Sequence, residues 1–543
     1  MGLANRNCRL LDNSKTNIQC SIQRVRLFHL TLMSATSNEH PLTSPATKWS
    51  IITKPLVVLF FAAAALRVLS FFLSHDAGGD ALARARLTGW WLQNFRLEFH
   101  FDVWLPLHFW MMAAVSTIVG DVELGCRLLS LLLGIASIGA LFALTRELDD
   151  PRAAVFSTIL FAFYSLHISH SVTSSCDVPY LFFVIAGMAL FFRARRTNKL
   201  LLLILGGLAL TLGAGIRYEA WVIIAALNAV LLYRKEFKRF AVFVLASGAW
   251  PAFWMTYEWV TLGNPLFAPT LNYSWVANDL AFYGTSLIYR VMLPFGVTLI
   301  ALTPLVVLGF FLSIRQIWKR KGPLAEFALV MIFFAAIQFY QIIAGGTMSY
   351  ARYTLTLGTM TAILAGIGLY HGFRYPKIIV GVMLANLALL FVLSTVRNPY
   401  INKIRSVAPV FHFTTYLEET GLFLKNHLGS NDAVVIDDYN YETGQIAHVA
   451  GLPLLGTERA FLIPDRVYPE NQRKKFAELL PYMRTRRPSY IVYSNQGELR
   501  QVLPFPSDCS SHQIENMRFE CAFQNTHYQI YRINYSPVAS PGQ

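Results

Sequence analysis

The sequence predicts an α-helical polytopic membrane protein with a small extracytoplasmic α/β domain at its C-terminus. Three observations carry that prediction. Of 543 residues, 55% are hydrophobic and 14% are charged, with mean hydropathy +0.43, whereas a soluble domain carries about 25% charged residues. Apolar runs of the ~20-residue length that crosses a bilayer core recur along the chain. Lysine and arginine gather in short clusters between those runs, as they do in cytoplasmic loops. That placement also turns the net charge of +15 from a nucleic-acid signal into a topology signal.

Residues 1–50 are polar and lack the apolar core of a cleavable secretory signal. They are expected to form a disordered cytoplasmic tail. Met33 opens a more conventional short tail, which makes residues 1–32 a candidate extension ahead of it. The spans that follow are 52–73, 126–145, 153–174, 178–193, 200–216, 220–233, 239–261, 291–314, 324–345, 353–371 and 376–396, about 11 transmembrane helices with a range of 11–13. The strong basic clusters are Arg193-Arg195-Arg196-Lys199, Arg234-Lys235-Lys238-Arg239, Arg315-Lys319-Arg320-Lys321 and Arg374-Lys377, with Arg146 and Arg152 as a weaker fifth. Two spans separate each cluster from the next, provided that 104–120 does not cross. That segment is short, carries Pro106 and His108 near its start, and reads as a helix on the membrane surface. The N-terminus is then inside, a transmembrane domain covers 51–396, and its long first outer loop covers 74–125. The loops holding Asp177, Arg217-Tyr218-Glu219, 262–290 and 346–352 are outside.

Residues 397–543 change character and are expected as the outer α/β domain. Residues 433–438 and 490–494 read as buried strands, 470–486 as a polar helix, and Phe519–Phe523 with Tyr528–Ile533 as a hairpin. Six cysteines are too few for a disulfide scaffold. Cys509 and Cys521 could pair if this region lies in an oxidising compartment; two free thiols are the alternative.

Asp80 and Asp76 lie directly after the first span. A carboxylate at a water–lipid boundary can act as a general base or ligate a divalent cation; the plainer reading is a solvated loop acid. Asp177 adds a second outer carboxylate, and Arg84 and Arg86 follow Asp80 on a predicted helix. Trp90, Trp91 and Trp104 suit an interfacial belt. Arg217 and Glu219 form a tight outer turn, either a mutual pair or an anion site. Arg352 opens a span from the outside, where arginine is less expected, so phosphate binding is a reading for it; Arg127 has the same position on its own span. Arg67 lies inside the first span and needs an internal partner. His167 and His170 share a helix face, but no histidine spacing specifies a metal site. No Walker motif, dinucleotide-binding glycine pattern or HExxH is present.

In this order the pieces resemble the GT-C glycosyltransferases, and within them family 39, the protein mannosyltransferase and aminoarabinose-transferase type. They are Gly79-Asp80-Ala81-Leu82-Ala83-Arg84, Trp104-Leu105-Pro106-Leu107-His108, Cys126-Arg127-Leu128-Leu129-Ser130, Ser165-Leu166-His167-Ile168-Ser169, Cys176-Asp177-Val178-Pro179, Arg217-Tyr218-Glu219-Ala220-Trp221, Gly263-Asn264-Pro265-Leu266-Phe267 and Ala351-Arg352-Tyr353. The resemblance implies a polyprenyl-phosphate sugar donor used on the outer face, a protein, lipid or glycan acceptor, and direct inverting displacement, in a bacterial inner membrane. Asp80 takes the place of the essential first-loop acid and Asp177 that of the second-loop acid. Arg352, Arg217 and Arg84 are candidates to hold the donor phosphate, with Glu219, Arg127, His108 and Trp104 as structural or substrate contacts. The chain departs from the family at Ala81, where an acid is frequent, and at Trp104-Leu105-Pro106, where many members have Lys-Pro-Pro; Asp76 or Asp102 could supply the missing acid. Two other classes compete: a transporter or flippase for a lipid-linked saccharide, which favours midplane charges and repeated halves, and a non-catalytic envelope assembly protein, which tolerates Asp80→Asn.

Overall fold

The computed structural model describes residues 45–74, 79–93, 103–283, 286–319, 322–347, 350–373 and 376–395, and most of 415–536. The predicted tail before residue 45, Asp76 and Asp102 lie outside the described residues. Two compact units divide the chain, Met1–Val57 and Val58–Gln543, and every site below belongs to the second.

Helix α1 (Pro45–Leu73) is followed by α2 (Gly79–Gln93) and α3 (Leu107–Val119). The 13 residues of α3 are short of a span. Helix α4 (Val122–Leu148) opens on Asp121, whose carboxylate accepts from Leu124 N at 2.7 Å. Helix α5 (Pro151–Ala162) opens on Asp150-Pro151, with Asp150 accepting from Arg152 N at 2.7 Å. An acidic cap and a proline at the first helical position are start signals with a cause: the carboxylate satisfies a free N–H, and proline has none to lose. Then come α6 (Ser165–His170), α7 (Asp177–Thr197), α8 (Leu200–Ala214), α9 (Glu219–Tyr233), α10 (Phe237–Ser247), α11 (Ala249–Leu262), α12 (Phe267–Tyr283), α13 (Leu287–Leu302), α14 (Leu305–Lys319), α15 (Pro323–Ala344), a 3-10 turn at Ala351–Thr354, α16 (Leu355–Gly372) and α17 (Pro376–Thr395).

Every predicted span falls on one of these helices or on a consecutive pair. Among the described residues five are long and apolar enough to cross a membrane, or seven if the bent pairs α10–α11 and α13–α14 each count once. Three predicted runs are broken. The pair α13–α14 bends by 104° at Thr303-Pro304, where proline has no N–H to continue the ladder. The pair α10–α11 bends by 51° at Gly248. The run 153–174 stops at Ala162 and restarts at Ser165, because its second half is dense in serine, histidine and threonine. Those groups are buried and need protein partners, such as Ser171 Oγ donating to His167 O at 2.6 Å.

The helices α14 and α16 cross at glycines: a Cβ on Gly368 would run into the Gly309 carbonyl and lie 2.6 Å from Ser313 N. Small residues allow such backbone approach in lipid, where helix packing has no hydrophobic drive. Phe61, Phe72, Leu201, Leu245, Ile288 and Ile332 point outward and are largely exposed, as a lipid-facing surface requires. Helix α7 separates two polar ends of the bundle by roughly 30 Å, at 1.5 Å per residue. Asp177 stands at its start. At its end Arg195 binds Glu326 and reaches Glu236 at 2.7 Å, Arg234 reaches Glu326 at 2.7 Å, and Arg196 reaches Glu147 at 2.8 Å. The basic clusters of the sequence are thus partly neutralised by acids on neighbouring helices.

The C-terminal part holds a six-stranded sheet ordered β2-β1-β3-β6-β5-β4, with β1 (Val434–Ile436), β2 (Ala460–Leu462), β3 (Tyr490–Ser494), β4 (His512–Ile514), β5 (Met517–Gln524) and β6 (Tyr528–Tyr535). Strand β1 is parallel to β2 and β3, and the remaining pairs are antiparallel. One face buries Val435, Ile491 and Tyr531; the other buries Val434, Val492 and Ile530. Burial on both faces explains why β3 reads as an unbroken apolar run. Cys509 and Cys521 are disulfide-bonded. Helix α18 (Thr443–Val449) approaches the bundle, with His448 Nε2 3.2 Å from the Glu123 carboxylate at the head of α4.

Candidate active site

A cavity of about 160 Å³ opens at the Asp177 end of the bundle. Asp80, in the first turn of α2, lines it. Arg84, one turn later on the same helix face, donates from Nε to Asp80 Oδ2 at 3.2 Å. Arg352, brought in by the 3-10 turn before α16, donates from Nη1 to the same oxygen at 2.7 Å. Burial alone pushes the Asp80 carboxyl up. The two guanidiniums outweigh it, Arg352 first, and hold the carboxyl below its ordinary range. Arg84 is itself buried, with its guanidinium 4.7 Å from the Trp104 ring and 5.5 Å from Phe109. Its Nη1 and the Nε of Arg352 are buried donors without a hydrogen-bond partner among the described residues.

Arg217 forms a second charged group. Its Nε donates to both Glu219 oxygens at 3.1 Å, its Nη2 adds a further short contact to Glu219, and Nη1 donates to Asp177 Oδ1. The rings of Tyr353 and Tyr180 lie 5.2 and 5.8 Å from this guanidinium. Tyr353 lies 5.2 Å from the Arg352 guanidinium as well, so one aromatic ring is within cation–π reach of both cations. Asp177 is 2% exposed and takes a short hydrogen bond from Ser175 Oγ. Arg217 and Glu219 line the cavity, with Asp177 behind them as a partner of Arg217.

The other predicted residues separate into two groups. Trp104 lines the cavity. His108 is fully buried next to these charges, with neither ring nitrogen hydrogen-bonded among the described residues. Arg127 stands elsewhere: it donates to the carbonyls of Val172, Phe71 and Ser74 at 2.8, 2.7 and 2.6 Å, closing the end of α1 against α4 and the segment after α6. Arg67 finds its internal partners in Ala63 O, Ala162 O and His167 Nδ1, at 3.1, 3.0 and 2.9 Å. With His167 so engaged, no three His, Cys, Asp or Glu side chains converge to hold a metal among the described residues.

Gln338 and Gln341 on α15 line the cavity without having been singled out from the sequence, and Asn272 on α12 and Tyr353 line it as well. The glutamines carried a readable signal. An amide inside an apolar span needs a partner, and Phe334, Gln338 and Gln341 recur at helical spacing on one face.

Residues 105–257 match the sequence profile of the dolichyl-phosphate-mannose-protein mannosyltransferase family. No curated protein matches the chain. Among solved structures, the chain is similar to ArnT from Cupriavidus metallidurans bound to undecaprenyl phosphate, at 14% identity and TM-score 0.55, covering 92% of this chain and 100% of that one. It is similar to the same protein in the apo state at 15% identity and TM-score 0.55, covering 90% and 98%. An oligosaccharyltransferase from Archaeoglobus fulgidus, in complex with Zn and sulfate, aligns at 15% identity and TM-score 0.49 over 80% of this chain and 68% of that one. The chain therefore has the fold of the GT-C membrane glycosyltransferases, and within that fold its residues 105–257 carry the mannosyltransferase family pattern.

Proposed function

We propose that this protein is a membrane glycosyltransferase that moves a sugar from a polyprenyl-phosphate donor to an acceptor on the outer face of the bacterial inner membrane. The observation that carries the reading is the meeting of Arg352 and Asp80 at 2.7 Å in a cavity that also receives Arg84, Arg217 and Glu219. An anionic leaving group needs neutralising charge where its own charge grows, and two guanidinium N–H groups here lack partners among the described residues. An acceptor hydroxyl or amine needs an ionised carboxylate to orient it and take its proton, and Asp80 is held ionised. ArnT, whose fold this chain shares, binds undecaprenyl phosphate, which supports the same donor class here.

In the transfer, the acceptor oxygen or nitrogen bonds to the anomeric carbon as the bond from that carbon to the phosphate oxygen breaks. The electron pair leaves with the phosphate, and the acceptor proton passes to Asp80. Attack from the face opposite the phosphate inverts the anomeric centre. A carboxylate so stabilised is a weak base. A donor phosphate competing for Arg352 would draw that cation off Asp80 and raise its basicity where it is needed. The N-terminus is cytoplasmic in this reading and the C-terminal sheet domain extracytoplasmic.

The test is sugar transfer from a panel of polyprenyl-phosphate sugars in membranes carrying wild type or Asp80→Asn at matched expression. Transfer by wild type and its loss in the variant are expected. Equal transfer by both would remove Asp80 from the mechanism; no transfer from any donor would remove the donor class.

A further inference from the structure

We infer that the end of the bundle opposite the Asp80 cavity carries a second anion site, one that seats the phosphate headgroup of an anionic phospholipid. The site is separate from the transfer reaction proposed above. A cavity of about 180 Å³ opens where the end of α7 meets the starts of α8 and α10. Its polar lining is Asn198, Lys199, Lys238 and Arg239, with no carboxylate among them.

The neighbouring cations are matched by acids: Arg195 by Glu236 and Glu326, Arg234 by Glu326, and Arg196 by Glu147. Arg239 has to share Glu236 with Arg195, and turns its Nη2 to Asn198 Oδ1 at 2.6 Å. Lys199 and Lys238 have no ion pair among the described residues. Lysine in such a loop is expected from topology alone. Topology does not require three cations around one concavity with no acid in its wall. Helices α8 and α10 add charge of the same sign. Each starts at this cavity without a side-chain cap, so its first N–H groups carry the partial positive charge of a helix start. A phosphate, with several acceptor oxygens and a negative charge, suits both the lysines and the helix starts.

The surface beside the cavity selects the source of that phosphate. Leu200 lines the cavity, and Leu201, Leu205, Leu208 and Leu212 continue from it along α8, all exposed. Their spacing of three and four residues makes one stripe on the helix. At 1.5 Å per residue the stripe runs roughly 16 Å, about half of the ~30 Å hydrocarbon core and so the depth of one leaflet. A free phosphate makes no use of it. A phospholipid held by its headgroup lays an acyl chain along it. Basic pockets between helices on the cytoplasmic side bind anionic headgroups in this way, and in the topology proposed above this is the cytoplasmic end.

Native mass spectrometry of the purified full chain reads the lipid it retains, with phosphatidylglycerol and phosphatidylcholine offered in equal amounts in mixed micelles. Wild type should retain phosphatidylglycerol with about tenfold preference. The double variant Lys199→Gln/Lys238→Gln should bring that preference below about threefold. The control Lys319→Gln/Lys377→Gln removes the same charge from residues that do not line the cavity and should leave the preference intact. All four lysines are exposed, and a melting curve of each variant checks that it folds. No preference in wild type would overturn the inference. Equal loss in both double variants would overturn it too, by reducing the effect to bulk electrostatics. Inorganic phosphate in large excess should not displace the lipid; displacement would assign the cavity to a soluble phosphate instead.

Discussion

Arg352 and Asp80 are 272 residues apart in the chain, and their side chains meet at 2.7 Å. The contact ties the first loop to the start of the penultimate bundle helix, and it sets the charge state of the acid. Burial raises the Asp80 pKa, while Arg352 and Arg84 lower it further than burial raises it. Its net displacement is downward, so Asp80 stays ionised until the pH falls below the ordinary carboxylate range. The stability gained from this pairing is present above that range and lost as pH falls through the depressed pKa.

The first prediction concerns pH. The acidic limb of kcat/KM for sugar transfer should lie at or below the ordinary aspartate pKa of 3.8. In Arg352→Gln burial is less opposed, so the limb should move to higher pH while the maximal rate falls. A pH–rate profile in liposomes reads both. A limb that stays fixed in the variant would show that Asp80 does not set it.

Arg217 supports a prediction about stability. It bonds to Asp177, which is 2% exposed, and to Glu219, which is far more open. Arg217→Met strands a buried carboxylate and should cost about 3–5 kcal/mol. Glu219→Gln keeps a hydrogen-bonding group facing Arg217 and should cost about 1 kcal/mol or less. Thermal unfolding in detergent orders the two. Equal losses would mean that Asp177 is not the dominant partner.

The segments of the bundle were legible because their length and apolarity are dictated by the bilayer, and the loops between them because lysine and arginine mark one side. The breaks were not. A 104° bend at Thr303-Pro304 looks, in a hydropathy profile, like an ordinary proline within a span. The acid after the first span and the arginine before a later one could each be picked out as polar residues near bilayer ends. Their pairing could not, since nothing local to Asp80 or Arg352 records a partner 272 residues away. Arg127 shows the converse. It occupies the same kind of position as Arg352, yet it faces backbone carbonyls, because the end of α1 leaves those carbonyls unpaired there. Gln338 and Gln341 were overlooked because amides in an apolar run carry no charge to draw attention.

Arg127 gives the third prediction. It holds three carbonyls, two of them at the end of α1 only a few residues before Asp80. A hydrogen bond to a charged group contributes about 1.5–3 kcal/mol net of water, and these three share one guanidinium, so their losses do not add in full. Arg127→Leu should therefore lower stability by about 2–4 kcal/mol and reduce kcat, leaving KM for the lipid donor nearly unchanged, because it loosens the segment that carries the acid without touching the arginines of the cavity. Transfer kinetics beside a melting curve separate this from a general loss of fold.

The last prediction concerns Cys509 and Cys521, which join across the β5 side of the sheet. Such a bond persists only in an oxidising compartment, so it bears on which side of the membrane the C-terminal domain occupies. A membrane-impermeant maleimide added to intact spheroplasts should leave both cysteines unmodified. In Cys509→Ser, the released Cys521, which is partly exposed, should label without any reductant. With Cys8 and Cys20 replaced by serine in every sample, Cys126 and Cys176, buried in the bundle, serve as internal controls that remain unlabelled. If the domain faced the cytoplasm, the impermeant reagent would fail to reach Cys521 in the variant until the cells were lysed, and the pair in wild type would label on lysis without reduction. The outer placement of the sheet domain, and with it the outer placement of Asp80 on the same side of the bundle as His448 and Glu123, therefore stands or falls on one labelling gel.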